Sequence, residues 1–258
     1  QAATAPLNDY DALWQWSVDQ PAAFWSLLWD FCGVVGDKGG TVLEDGDKMP
    51  GARWFPQGRL NYAENLLRFS GPEDALVFWG EDKVKRRLSR DQLRAEVSRF
   101  QQFLQDAGVQ PGDRVAGYLP NLPETLIAML AAASLGAIWS SASPDFGVQG
   151  VLDRFGQIGL KVLVCVDGYW YNGKPVDCLA KNAEAAAQLP TLEKVVVVPY
   201  LAATPDIGAI PKAVTWDQAL APFSATAPAF ARLPFSHPLF IMYSSGTTGV
   251  PKCIVHCH

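Results

Sequence analysis

Leu239-Phe240-Ile241-Met242 runs directly into Tyr243-Ser244-Ser245-Gly246-Thr247-Thr248-Gly249-Val250-Pro251-Lys252. The first four residues are an unbroken apolar run that reads as a buried strand. The serines, threonines and glycines after it cannot continue that strand. A loop of small hydroxylated residues and glycines can bring backbone N–H groups and hydroxyls close around a phosphate chain. Lys252 adds a compact positive charge at its far end, and a second apolar stretch, Cys253-Ile254-Val255, follows at once. That placement between two apolar stretches separates it from an ordinary Ser/Gly connector. The expectation is a phosphate-holding loop at the end of a sheet strand. It is not a Walker A loop, which needs Gly, four residues, then Gly-Lys-Ser/Thr. The one near-match, Gly168 to Lys174, has Pro175 where that motif has its Mg²⁺-binding hydroxyl, and proline has no N–H to offer.

Upstream of the loop, strand-like and helix-like segments alternate. Ala75-Trp79 and Val84-Leu88 read as strands. Ser89 suits the N-cap of a helix that Gly108 stops. Asp113-Leu119 reads as a strand, Pro123-Leu135 as a helix, Ala137-Ser140 as a strand and Val148-Ile158 as a helix. Lys161-Val166 reads as a strand, Asp177-Leu189 as a helix, and the β-branched run Val195-Val198 as a strand. Such alternation implies parallel strands joined by helical crossovers, and runs like Val195-Val198 suit a sheet covered on both faces. The fold class expected is α/β, with mostly parallel sheets and helices on both faces. Residues 200–236, rich in Pro and Ala, read as a meandering connection with one short helix near Trp216-Leu220. Earlier, Asp19 and Pro21 open a helix whose Phe24, Trp25, Leu28, Trp29 and Phe31 are spaced for an apolar face. Tyr10 to Phe31 contains no Lys or Arg, so that face is expected to pack on the protein's own body and not in a membrane interface.

Composition narrows the function classes. The 258 residues are 49% hydrophobic and 18% charged, with a net charge of −5, which suits a folded chain with a substantial core. A mildly acidic balance argues against a general nucleic-acid binder. The densest basic run, Lys83, Lys85, Arg86, Arg87, Arg90 and Arg94, is diluted by Glu81, Asp82, Asp91 and Glu96 and reads as a solvated hairpin and helix face. The five cysteines, Cys32, Cys165, Cys178, Cys253 and Cys257, are odd in number and irregular in spacing. They read as reduced thiols of a cytoplasmic protein. No apolar run reaches membrane-spanning length. Cys253, His256, Cys257 and His258 match no paired zinc-ligand spacing, and alternation along a strand would split them between two faces, so no metal site is assigned. No G-x-S-x-G elbow accompanies His237. His256 is expected to be a substrate-side or core residue.

Tyr243 to Lys252 resembles the phosphate-binding signature of adenylate-forming enzymes: acyl-CoA synthetases, luciferases and peptide-synthetase adenylation domains. Three stretches are most similar to the acetoacetyl-CoA synthetase family: Trp54 to Leu67 (WFPQGRLNYAENLL), Gly136 to Phe155 (GAIWSSASPDFGVQGVLDRF) and His237 to His256 (HPLFIMYSSGTTGVPKCIVH). Cys253 after the loop lysine, where most relatives have glycine, fits that group. The resemblance implies an N-terminal portion of such an enzyme. Residues 1–74 would form a helical cap, 75–236 an α/β subdomain of the AMP-binding part, and 237–258 the start of a second subdomain with the loop.

The chemistry implied has two steps. A carboxylate, here acetoacetate, attacks the α-phosphorus of ATP with Mg²⁺ present, and CoA then displaces AMP from the acyl adenylate. Small-molecule substrates are therefore the partners expected, with no nucleic acid. Ser244, Ser245, Gly246, Thr247, Thr248, Gly249 and Lys252 would hold the β- and γ-phosphates. Lys252 would offset charge on the departing pyrophosphate. In related acetyl-CoA synthetases the segment corresponding to Tyr171, Asn172, Gly173 and Lys174 contacts the nucleotide end of CoA through basic residues. Here only Lys174 is a cation and Tyr171 stands where relatives carry arginine, so a CoA contact and a plain surface turn both remain open. The resemblance also leaves open an acetate or propionate ligase or a non-catalytic nucleotide-binding module, and the 258 residues alone are expected to be inactive.

Overall fold

The computed structural model of the protein describes residues 8–244 and 249–258. Two helices, α1 (Tyr10–Asp19) and α2 (Pro21–Phe31), lead into four two-residue strands: β1 (Gly36–Asp37), β2 (Leu43–Glu44), β3 (Arg53–Trp54) and β4 (Arg59–Leu60). A short helix, α3 (Tyr62–Leu66), follows. Asp9 caps α1 by accepting from the Ala12 N–H at 2.8 Å. Pro21 stands at the first position of α2, where its missing N–H costs nothing. The expected apolar face of α2 is only partly used. Trp29 is buried with Phe55 and Leu60, whereas Trp25 and Phe31 are exposed. Phe24 and Leu28 are half-buried, and Trp25 meets Trp54 edge-on with ring centroids 5.9 Å apart while keeping its outer surface open.

Asn61 joins this region to the rest. Its side-chain oxygen accepts from the Ala63 and Glu64 N–H groups, capping α3. Its amide donates to the carbonyls of Ala133, Ser134 and Ala231 at 3.0–3.1 Å, and the residue is fully buried. Asn65 likewise exchanges hydrogen bonds with the backbone of Val35.

Strands β5 (Asp74–Gly80) and β6 (Val84–Ser89) pair only with each other. The three residues between them permit an antiparallel hairpin and no crossover. Helix α4 (Arg90–Asp106) starts at the expected Ser89, in a capping box with Gln92.

The remaining elements alternate as read. In order they are β7 (Arg114–Tyr118), α5 (Pro123–Ser134), β8 (Ile138–Ala142), α6 (Val148–Phe155), β9 (Val162–Val166), β10 (Gly168–Tyr171), β11 (Lys174–Asp177), α7 (Leu179–Ala187), β12 (Lys194–Val198), β13 (Ala213–Thr215), α8 (Trp216–Leu220), β14 (Leu233–Pro234), β15 (Pro238–Ser244) and β16 (Lys252–Cys257). Seven of these strands form the central sheet in the order β13-β12-β9-β7-β8-β15-β16. Every neighbouring pair is parallel except β15 with β16. The sheet is mixed and mostly parallel, and the α/β class holds.

Both faces are covered because the apolar runs alternate sides. Val162, Val164, Val166, Val196 and Val198 enter one core with α4, α5 and α8, where Phe100 stacks on Trp216 at 4.6 Å. Leu163, Cys165, Val195 and Val197 enter the other, against Val151 and Phe155 of α6 and Ala185 and Ala186 of α7. Two features depart from the sequence reading. Residues 213–215, within the expected meander, form the edge strand β13. The segment Tyr171–Lys174, left open between a CoA contact and a surface turn, is the end of a regular hairpin of β10 and β11.

From β7 the chain adds β8 on one side and then β9 on the other. In open sheets of this kind such a reversal leaves a crevice outside the carboxyl ends of the strands.

Candidate functional site

The carboxyl ends of β7, β8, β9 and β15 lie along one edge of the sheet, and the sequence-selected residues gather there. Ser244 ends β15 and pairs with Lys252 at the start of β16, so the two ends of the expected phosphate loop are held side by side. Ser245, Gly246, Thr247 and Thr248 lie outside the described residues. Gly249 has φ +90°, a conformation that a side chain would strain. Lys252 is exposed.

Between the strand ends stands the loop Ser143–Gly147, from the middle of the second family-like stretch. Four contacts fix it. The Tyr118 hydroxyl donates to the Phe146 carbonyl and the Lys181 ammonium to the Pro144 carbonyl. The Tyr169 hydroxyl donates to Asp145 at 2.5 Å, and the Ser143 hydroxyl to the same carboxylate at 2.9 Å. The bond to Asp145 pushes the Tyr169 phenol up to about 12, and the same bond holds the Asp145 carboxyl below its usual range. Burial raises the Tyr118 phenol further. These tyrosines are therefore neutral donors at physiological pH and not bases.

A cleft opens on each side of this loop. One, of about 510 Å³, lies toward β15 and is lined by Ser140–Ser143, Phe146, Arg154 and Tyr243. The Ser140 hydroxyl donates to the Ile241 carbonyl at 2.8 Å and shares a 3.0 Å hydrogen bond with the Tyr243 hydroxyl. Burial pushes the Tyr243 phenol up to about 12. The Arg154 guanidinium lies 4.0 Å from the Phe146 ring centroid and 5.8 Å from that of Tyr243. Just beyond α6, the Gln157 amide donates to the Pro251 carbonyl at 2.9 Å, next to Lys252.

The other cleft, of about 410 Å³, lies between the strand ends and the β10–β11 hairpin, with Asn121, Asp145, Tyr169 and Tyr171 on its walls. Asn172 and Gly173 form the tip of that hairpin, both with positive φ, 50° and 74°, as a two-residue type I′ turn requires. Tyr171 pairs with Lys174 across it, and both are exposed. Gly173 N–H donates to Glu81 at 2.8 Å. The structure thus brings the hairpin and the two described ends of the expected phosphate loop, Ser244 and Lys252, to the same edge, with the Ser143–Gly147 loop and its two clefts between them.

The sequence reading did not select Arg154, Gln157, Tyr243 or Asp145 as site residues. Arg154 and Asp145 lie inside a stretch already quoted for its resemblance, which was the available signal. His256 is exposed on β16 and is not a core residue. His258 is partly buried; its Nδ1 accepts from the Tyr62 N–H at 3.2 Å, and burial lowers its pKa to about 4. Among the described residues no group of three His, Cys, Asp or Glu is placed to hold a metal ion, and no helix is long and apolar enough to cross a membrane.

Residues 68–258 match the sequence profile described as AMP-binding enzyme. The chain belongs to that family. Residues 10–66 match a second profile, acetyl-coenzyme A synthetase N-terminus. The acetoacetyl-coenzyme A synthetase of Rhizobium meliloti is 55% identical over 251 residues, covering 96% of this chain and 38% of that protein. The acetoacetyl-CoA synthetase of Macaca fascicularis is 46% identical over 262 residues, again 38% of its length. A solved structure, the acetoacetyl-CoA synthetase from Streptomyces lividans, superposes with a TM-score of 0.90 at 42% identity. It covers 98% of this chain and 39% of that one. The chain therefore spans somewhat more than a third of the length of these AMP-binding relatives. The similarity runs through the first sixty residues as well as the sheet.

Proposed function

We propose that this chain is the nucleotide-activating portion of an AMP-forming acid–thiol ligase that converts acetoacetate, ATP and CoA into acetoacetyl-CoA, AMP and pyrophosphate. The observation that carries the reading is 55% identity to an acetoacetyl-coenzyme A synthetase across 96% of the chain, with the phosphate-loop sequence at the carboxyl edge of the sheet. In this reading residues 1–74 cap the enzyme, 75–236 form the α/β subdomain, and 237–258 open the next subdomain.

The loop works by placement. The acetoacetate carboxylate attacks the α-phosphorus, the bond to the bridging oxygen breaks, and pyrophosphate leaves with the electron pair. Backbone N–H groups and the hydroxyls of Ser244, Ser245, Thr247 and Thr248 hold the β- and γ-phosphates, with Gly246 and Gly249 allowing close approach of the backbone. The Lys252 ammonium offsets the charge gathering on pyrophosphate. Mg²⁺, if bound with ATP, would supply further positive charge beside that of Lys252. CoA sulfur then attacks the acyl carbon, and AMP departs. The nucleotide end of CoA would lie against Tyr171, Asn172, Gly173 and Lys174, on the same edge of the sheet as the loop, so both substrates approach from that edge. Five unpaired cysteines, two of them buried, accord with a reducing, cytoplasmic setting.

The acetyl-coenzyme A synthetase profile over residues 10–66 favours acetate as the second candidate acid. ATP–pyrophosphate exchange by the complete gene product decides between them. Faster exchange with acetoacetate than with acetate or propionate is expected; exchange driven best by acetate would replace the substrate, and none with any acid would remove the reading.

A further inference from the structure

Arg154 is a cation without an anionic partner at the root of the phosphate loop. It makes no ion pair with any carboxylate among the described residues, and Ser245–Thr248 contain no acid. Of its five N–H donors, one is engaged among the described residues, in the 2.7 Å bond from Nη1 to the Gly150 carbonyl. The guanidinium carbon lies over the Phe146 ring, 4.0 Å from its centroid, and Arg154 lines the cleft together with Ser141 and Tyr243. Tyr243 is the last residue but one of β15, directly before the loop.

The same helix reaches the loop's other end. Phe155 packs on Tyr243 with ring centroids 6.4 Å apart, and Gln157 donates to the Pro251 carbonyl. The segment Arg154–Gln157 therefore touches both the residue that enters the loop and the one before Lys252. A guanidinium held over an aromatic ring at a cleft, with most of its donors unengaged among the described residues, is suited to an oxyanion, and Arg offers phosphate a planar fork where Lys offers a point charge.

We propose that Arg154 is a second cation for the polyphosphate held by the loop, acting from the α6 side opposite Lys252, with Gln157 positioning the loop toward it. This rests on the phosphate-loop reading above. The ligand chemistry is a phosphoanhydride. ATP's triphosphate is the source assigned, because Arg154 neighbours Tyr243 and not the β10–β11 hairpin; CoA's pyrophosphate is the other source the test must separate.

The test is the Arg154→Met variant of the complete gene product, assayed by ATP–pyrophosphate exchange and by thioester formation. Met preserves the stem over Phe146 and removes the fork. The KM values for ATP and pyrophosphate should each rise roughly tenfold or more, with AMP affinity and the KM for CoA unchanged, and Arg154→Lys should recover part of the loss. An unchanged KM for pyrophosphate, or a rise confined to CoA, overturns the proposal. Equal losses for AMP and pyrophosphate would assign Arg154 to structure and also overturn it. Lys252→Ala in the same assay separates the two readings. If it raises the pyrophosphate KM and Arg154→Met does not, only this inference fails; if neither does, the phosphate-loop reading fails as well.

Discussion

Replacing Asn61 by Ala removes a buried hub whose consequences can be counted. Two N–H groups, of Ala63 and Glu64, lose the oxygen that caps α3, a loss of about 1 kcal/mol. Three carbonyls lose the amide, but not equally. The Ala133 carbonyl still accepts from Gly136 and the Ser134 carbonyl from Ala231. Only the Ala231 carbonyl loses its sole partner among the described bonds, at about 1–3 kcal/mol for a buried unsatisfied group. The sum is a destabilisation of about 2–4 kcal/mol, or a fall in Tm of roughly 5–15 °C for a chain of this size. Thermal and urea unfolding followed by tryptophan fluorescence measures it. Asn61→Asp keeps the cap acceptor, loses all three donations and sets a charge against three carbonyls, so it should be no better tolerated than Ala. A loss below about 1 kcal/mol in the Ala variant, or a well-tolerated Asp, would refute the role assigned to the amide.

Two further outcomes follow from the site. His258 is held neutral in the folded chain, its pKa lowered to about 4 by burial, whereas the unfolded chain titrates near 6.5. Between pH 6.5 and 4 the unfolded state therefore binds the extra proton, and stability falls as the pH is lowered through that window. His258→Asn, which can still accept from Tyr62, should flatten this part of the pH profile of unfolding; an unchanged slope would contradict it. Lys174 is exposed at the hairpin tip, and its removal should raise the KM for CoA only about threefold, as befits a solvated charge, with ATP–pyrophosphate exchange intact. An unaltered KM would leave the hairpin as a surface turn.

The sheet was legible because its signals are local. Val195–Val198 and Val162–Val166 are apolar on both faces, Ser89 carries Gln92 three residues on, and Pro123 opens a helix. Strand β13 was not, since three half-buried residues in a Pro- and Ala-rich stretch give no periodicity and become a strand only by pairing with β12. The β10–β11 hairpin is announced by Asn172-Gly173, the residues a type I′ turn requires, but its strands are only four residues each and Pro175 interrupts the second. The clefts were beyond sequence reasoning. They depend on contacts such as Tyr118 with Phe146, Tyr169 with Asp145 and Gln157 with Pro251, the last 94 residues apart. Nor does a family-like stretch mark chemistry by itself: within Trp54 to Leu67, Asn61 and Asn65 spend their side chains on backbone groups and hold the architecture.

In the proposed function the loop from Ser244 to Lys252 stabilises departing pyrophosphate and does little else. Single-turnover kinetics of Lys252→Ala in the complete gene product tests this directly, with the adenylation step started from acetoacetate and ATP and the thiolysis step from preformed acyl adenylate and CoA. Adenylation should slow by about 10²–10³ while thiolysis keeps its rate. Equal losses in the two half-reactions, or an undisturbed adenylation rate, would contradict the claim.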